Sequence, residues 1–263
     1  MNLRSEAAKT LAFTYRNFTM MRHNIFMLAD VVYWPFIAVL SIGFMMAFLN
    51  PGDKSVAVVM SGVIAMSVLQ TCQLDVSYSL MFEMWSKSMK HTIAAPIGAR
   101  HYILGAWLFG IVRGTLTFCV LGGFIRLLFG YSIIAHGAGP AAVFVAGLFL
   151  SGLIVGMTII VLLYTFGMRA EIATWSIVSL LLLVCGIYYP ISVLPPALRA
   201  VGYAIPLTYF LEYYRSFFGV PAAPHAIAKG FALSGAYLLA ILYLHGRAVR
   251  RAKRLGTILK MSE

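Results

Sequence analysis

The chain has 263 residues, 61% of them hydrophobic and 11% charged, with a mean hydropathy of +0.89. Soluble domains are about 45–50% apolar and about 25% charged, so this composition excludes a water-soluble domain and specifies an integral membrane protein. The formal net charge of +12 is then read as the excess of Lys and Arg in cytoplasmic loops, and no nucleic-acid partner is expected.

Residues 1–24, MNLRSEAAKTLAFTYRNFTMMRHN, lack the uninterrupted apolar core of a signal peptide and are expected to stay in the mature protein. Leu3, Ala7, Leu11, Thr14, Phe18 and Met21 recur at three- and four-residue spacing, with Arg4, Lys9, Arg16 and Arg22 mostly elsewhere around the turn. That pattern predicts an amphipathic helix lying at the membrane interface. A short basic leader without fixed structure is the alternative.

A spanning helix needs about 20 apolar residues, and six stretches qualify: 27–49, 56–74, 102–128, 138–166, 172–189 and 226–245. The expected fold class is an all-α membrane protein with six transmembrane helices. No strand-like alternation competes, and no internal repeat points to a solenoid or an inverted-repeat carrier. Fourteen of the twenty Lys and Arg fall on one side of this map: before the first span, between spans two and three, between four and five, and in the tail 246–263. Both termini are therefore expected in the cytoplasm. The basic tail would meet anionic lipid headgroups or serve only as a topology determinant.

Between the second and third spans, residues 81–100 read MFEMWSKSMKHTIAAPIGAR. On a helix, Met84, Lys87 or Ser88, and His91 share one face, and Phe82, Trp85 and Met89 another. Such a cytoplasmic helix, placed at 82–97, would dock into a groove on a soluble partner or lie on the membrane with Trp85 at headgroup level. Farther on, Arg113 falls inside the third span, roughly 16 Å from its start at 1.5 Å per residue. A guanidinium at that depth must be paired or wet. Three readings stay open for it: an ion pair with Asp75 or Glu83, a position near the inner interface, or contact with substrate.

The segment 186–215, GIYYPISVLPPALRAVGYAIPLTYFLEYYR, breaks the fifth apolar stretch at Pro190, Pro195, Pro196 and Pro206. It is too apolar for a water-exposed loop and too broken for a span, because proline removes a backbone donor and clashes with the preceding turn. The expectation is an external re-entrant helical hairpin over 190–218. Its tyrosines, Tyr188, Tyr189, Tyr203 and Tyr209, belong either to an interfacial belt or to a gate on an exit path.

Catalytic patterns are missing. The sequence contains no GxxxxGK[ST], no HExxH, no C-x-x-C and no G-x-S-x-G. Cys72, Cys119 and Cys185 lie in apolar stretches and read as small buried hydrophobes. The eight carboxylates form no spaced pair within the spans, which argues against a proton relay. Neither an intramembrane lipid- or peptide-processing enzyme nor an ion-coupled carrier or channel finds its residues here. Both remain as alternatives.

The order of these parts resembles the permease subunits of type-2 ABC exporters, the ABC-2 membrane family. Two segments carry the resemblance: 186–215, with Tyr189-Pro190, Leu194-Pro195, Pro206-Leu207-Thr208-Tyr209, Glu212 and Arg215; and 83–104, with Ala95-Pro96 followed by HYILG. The resemblance implies a homodimer working with two copies of a separate ABC ATPase, which binds ATP and Mg, while this chain binds no cofactor or metal and is not itself an enzyme. It implies ATPase coupling through Glu83, Met84, Trp85, Lys87, Lys90 and His91. A substrate path or gate would include Tyr188, Tyr189, Tyr203, Tyr209 and Arg113. The setting implied is a bacterial inner membrane, and the cargo an amphiphile: a glycolipid, polysaccharide, lipo-oligosaccharide or drug. The run MWSKSMKHTIAAPIGARHYILG looks most like permeases grouped with lipo-oligosaccharide and multidrug exporters.

Overall fold

The computed structural model describes residues 3–23, 25–89 and 97–255, with side chains except at 3, 25–28 and 30–32. Lys90, His91, Ala95 and Pro96 lie outside the described residues, as does the tail after Leu255. The described chain is all helix and turn. The long elements are α1 (Leu3–His23), α2 (Ile25–Leu49), α3 (Asp53–Trp85), α4 (Ala99–Phe129) and α5 (Ala138–Phe166). A 3-10 turn (Gly167–Ile172) leads from α5 into α6 (Ala173–Val184). Then come a 3-10 turn (Ile191–Val193), the short helices α7 (Pro196–Tyr203) and α8 (Pro206–Ser216), and finally α9 (Ala226–Arg254).

Among the described residues, four helical stretches are long and apolar enough to cross a bilayer: α3, α4, the run Ala138–Val184 and α9; Tyr33–Leu49 within α2 is a shorter apolar helix. The molecule is thus a multi-pass membrane bundle. α3 forms its axis between α4 and α5: 72% of its apolar window is buried, as in the run Ala138–Val184, against 17% for α9. α4 and α5 flank α3, α1 packs on α4, and α9 covers α5 and α8. The apolar side chains left outside, such as Phe48, Val112, Leu127, Ile172 and Leu239, suit a hydrocarbon solvent rather than water.

Two boundaries differ from the sequence-based expectation. The helix expected to stop at 74 runs on to Trp85, so 82–85 form its last turn rather than the start of a separate helix. No helix breaker intervenes there, and Ser77 and Ser79 bond back to α3 carbonyls at 2.9 and 2.6 Å. The stretch expected to span at 172–189 is helical only to Val184. Those 12 residues cover about 18 Å, less than the roughly 30 Å hydrocarbon core. Gly186, at φ +64°, turns the chain out of the helix before Pro190 is reached.

Candidate functional sites along the bundle axis

The break after α6 creates a chemical problem that Arg215 solves. Where the chain leaves the helix, the carbonyls of Gly186 and Ile187 have no helical amide to bond. Arg215 on α8, 3% exposed, reaches both. Its Nη1 donates to Gly186 O at 2.7 Å and its Nη2 to Ile187 O. Nη2 also donates to Val58 O at 2.8 Å and Nε to Ser61 Oγ at 3.0 Å. One guanidinium therefore pins α8 and the broken segment to α3. Gly62 makes the approach feasible, since a Cβ there would lie 1.8 Å from Ile187 O.

One turn earlier on α8, Glu212 is also buried. Its Oε1 accepts the Tyr203 hydroxyl at 3.0 Å and its Oε2 the Ala223 amide at 3.0 Å. Tyr209 donates to the Tyr203 carbonyl at 2.9 Å, and Thr208 to the Gly202 carbonyl at 2.7 Å. These bonds fold α7 back on α8. Between them and the loop before α9 lies a cavity of about 220 Å³ lined by Cys185, Ser192, Tyr203, Glu212, Arg215 and Ala222 among others.

At the opposite end of α3, two carboxylates tie α1 to the bundle. Arg16 donates to Glu83, whose other oxygen accepts Ser88 Oγ at 2.5 Å. Glu6 receives Lys9 at 3.1 Å, Arg100, and His101 Nε2 at 2.9 Å. The Gly98 amide donates to His101 Nδ1 at 2.9 Å, so the ring proton sits on Nε2 and points at Glu6. These donors, His101 first and Lys9 next, hold the Glu6 carboxyl down at about 2 against an ordinary 4.5. Between the two anchors, Thr14 Oγ1 donates to Gly105 O at 2.9 Å. α1 thus docks through Phe13 and Thr14, while Leu11, Tyr15 and Phe18 face outward.

α3 leaves this end through a Schellman turn: Ser88 N bonds Glu83 O at 3.0 Å and Lys87 N bonds Met84 O at 3.2 Å. Lys87 occupies the left-handed position, φ +55°, that glycine would fill without strain. The turn ends the helix at Trp85 and takes residues 87–89 out of its course.

Midway along the bundle, Arg113 Nη1 donates to Asp75 Oδ1, joining α4 to α3. The pair is nearly closed off, at 11% and 6% side-chain exposure, and the guanidinium lies 5.6 Å from the Phe109 ring centre. Of the three readings open for Arg113, the ion pair with Asp75 is the arrangement present. Near it, Gln73 Nε2 donates to Thr174 O at 3.3 Å, joining α3 to α6.

The residues expected to share a role are not all brought together. Trp85 and Lys87 are exposed, but Glu83 and Met84 are buried, because they belong to the inward face of α3. Of the four tyrosines, Tyr203 lines the hairpin cavity, and Tyr209 is buried with its ring 5.9 Å from that of Tyr203. Tyr189 bonds its hydroxyl to Leu183 O, and Tyr188 packs against Gly62. They do not converge on one path within a single chain. The sequence assigned no bonding role to Arg215 and Glu212, named only within the family resemblance, nor to Arg16, Glu6 and His101. A signal existed for Arg215: a multidonor side chain one helix away from a proline-broken apolar stretch is a ready partner for the carbonyls that the break frees.

The bundle defines the class, a multi-pass helical membrane protein. Over residues 9–218 the chain matches the family described as ABC-2 type transporter, and it belongs to that family. A comparison with curated proteins gives no match. Membership in this family implies pairing with a nucleotide-binding ABC ATPase subunit. Among the described residues, no group of three or more His, Cys, Asp and Glu is placed to hold a metal ion.

Proposed function

We propose that the chain is the permease subunit of an ATP-driven exporter, acting as a homodimer with two copies of a separate ABC ATPase in a bacterial inner membrane. The family match over 9–218 carries this reading. In it, α2, α3, α4, α5, α6 with its preceding turn, and α9 make six passes, and the Lys/Arg map puts both termini in the cytoplasm. The α1 end is then the ATPase side, and α7–α8 form a re-entrant hairpin toward the outside. The segment from Glu83 to His91 is the coupling contact, with exposed Trp85 and Lys87 touching the ATPase and buried Glu83 passing displacement to Arg16. ATP binding draws the ATPases together, tilts α1 and α3, and moves an amphiphile outward past the hairpin tyrosines. A glycolipid, lipo-oligosaccharide, polysaccharide or drug would suit an apolar path with aromatic walls at its exit.

The test is reconstitution with the partner ATPase. Co-purification recovers a soluble ATPase, and Trp85→Ala lowers transport-coupled ATP hydrolysis with expression intact. Transport by the purified chain without nucleotide or ATPase would overturn the reading. Replacing Lys87 by glycine separates two contributions, since it preserves the left-handed turn and deletes the charge.

A further inference from the structure

The cavity beside α8 is more than a packing defect, because its walls hold unused hydrogen-bonding capacity of both signs. Arg215 has five N–H groups, and four are committed to Ser61, Val58, Gly186 and Ile187. One Nη1 hydrogen remains. A carboxylate offers about four acceptor sites, and Glu212 commits two, to Tyr203 and Ala223. The two charged groups line the same cavity; each is hydrogen-bonded to other partners, while the Glu212 carboxylate acts on Arg215 through space. Ser192 and Cys185 complete the polar wall, with Ile191, Leu211 and Val220 on the apolar side.

This arrangement selects a ligand. A simple cation would meet Arg215 and a simple anion would meet Glu212, so a lone charge of either sign is attracted and repelled at once. A neutral molecule with separated charges satisfies both. Residues three apart on a helix share one face, so Glu212 and Arg215 meet the cavity from the same side, where an ammonium and a phosphate two carbons apart can address both. At about 220 Å³ the cavity admits a headgroup but not a chain, and exposed Pro221, Ala222 and Val193 leave a way out for the rest.

We propose that this cavity binds a zwitterionic aminophosphate group, its ammonium on Glu212 and its phosphate toward Arg215. Such a group comes from phosphatidylethanolamine in the adjoining leaflet or from free phosphoethanolamine. The lipid source rests on the outer-leaflet position proposed above for the hairpin; the chemistry of the site does not.

Native mass spectrometry of the purified full chain, loaded with equal phosphatidylethanolamine and phosphatidylglycerol, reads the site directly. Wild type retains phosphatidylethanolamine in preference by about tenfold, the ratio expected from one charge-assisted hydrogen bond. Glu212→Gln, similar in shape but uncharged, brings the ratio toward one. Ala222→Phe, which fills the cavity from an exposed loop without removing a hydrogen bond, abolishes the preference even if Glu212→Gln fails to fold. Added phosphoethanolamine that displaces the lipid shows that the headgroup alone suffices; a preference that survives it assigns the site to the intact lipid. Equal retention of both lipids by wild type, or an undiminished preference in Ala222→Phe, overturns the proposal. No ATPase is present in this measurement, so failure here is distinct from failure of the exporter reading.

Discussion

Replacing Arg215 by Met should open the hairpin end selectively. The substitution keeps an unbranched apolar stem and deletes four donated hydrogen bonds. Val58 O and Ser61 Oγ sit within α3, which remains hydrogen-bonded around them. Gly186 O and Ile187 O lie outside any helix and lose the donor that satisfies them. A buried acceptor left unpaired costs about 1–3 kcal/mol, so the pair gives about 2–6 kcal/mol. The lower bound alone raises the population of a locally opened hairpin about 30-fold. Cys185 reports on that opening: it is 1% exposed, next to Gly186 on the cavity wall. In a Cys119→Ser background, which removes the exposed thiol, maleimide labelling of Cys185 should accelerate about 30-fold or more. Cys72, buried in α3, should label no faster and serves as the internal reference. Arg215→Lys, with three donors from a single atom, should fall between. If Cys185 labels at the wild-type rate in Arg215→Met, the carbonyls are satisfied some other way and the reasoning fails.

The Asp75–Arg113 pair should be strongly non-additive. Arg113→Leu alone leaves a buried carboxylate and destabilises by about 3–5 kcal/mol, whereas Asp75→Leu with Arg113→Leu recovers most of the loss; thermal unfolding in detergent reads the cycle, and additive single effects would refute the pairing. Because the folded-state value of Glu6 is depressed to about 2 from 4.5, its contribution to docking α1 is present above pH 4.5 and lost as pH falls through 2. Protection factors over Leu3–His23, corrected for the intrinsic exchange rate at each pH, should therefore fall across that acid window, and Glu6→Gln should already be loosened at pH 7 with no further change from this group. At Gly105, a Cβ would lie 2.6 Å from both Phe13 Cβ and Thr10 O. Gly105→Leu should therefore release α1, seen as faster exchange in α1 with α5 unchanged.

How far the sequence reached depended on the kind of force involved. Helices whose apolar length sets their place were readable, as the run at 138–166 shows, because lipid punishes every unbonded amide and leaves little choice. That the fifth apolar stretch is interrupted was readable for the same reason, but Pro190, the breaker expected from the sequence, follows a helix that has already ended at Val184, where Gly186 at φ +64° turns the chain. The helix end at Trp85 was not. Polarity rises after Leu74, but Gln73, Asp75 and Glu83 face inward to Thr174, Arg113 and Arg16, and a one-dimensional pattern reads those inward polar groups as the end of a span. Arg113 called for a partner by its depth alone, and that inference identified Asp75 as a candidate. Arg215 did not, because a charge near a loop looks solvated until the fold returns α8 against α3. Long-range side-chain-to-carbonyl bonds, such as the 157 residues between Arg215 and Val58, have no local signature.

These separate contacts converge on α3. It is 33 residues long, about 50 Å at 1.5 Å per residue, and carries no proline. Near its start, Val58 and Ser61 hold Arg215; at its middle, Gln73 and Asp75 hold α6 and α4; at its end, Glu83 holds Arg16 of α1. A force at the Trp85 end has two outlets: bending a continuous buried helix, or carrying the rod and its polar attachments together. Bending would strip buried hydrogen bonds at about 1–3 kcal/mol each, while sliding small packed surfaces keeps them. Rigid motion is therefore the cheaper outlet. Spin labels at Ser55 and Ser86, both exposed and on or beside α3, should keep one distance of roughly 46 Å through the nucleotide cycle of the partner ATPase. The distance from Ser55 to Ile134, exposed in the loop between α4 and α5, should hold as well, because α4 is tied to α3 by Asp75–Arg113 and Ile133 O accepts the Tyr214 hydroxyl of α8. A Ser55–Ser86 distance that shortens with nucleotide would mean that α3 bends, and that the two ends of the bundle move independently.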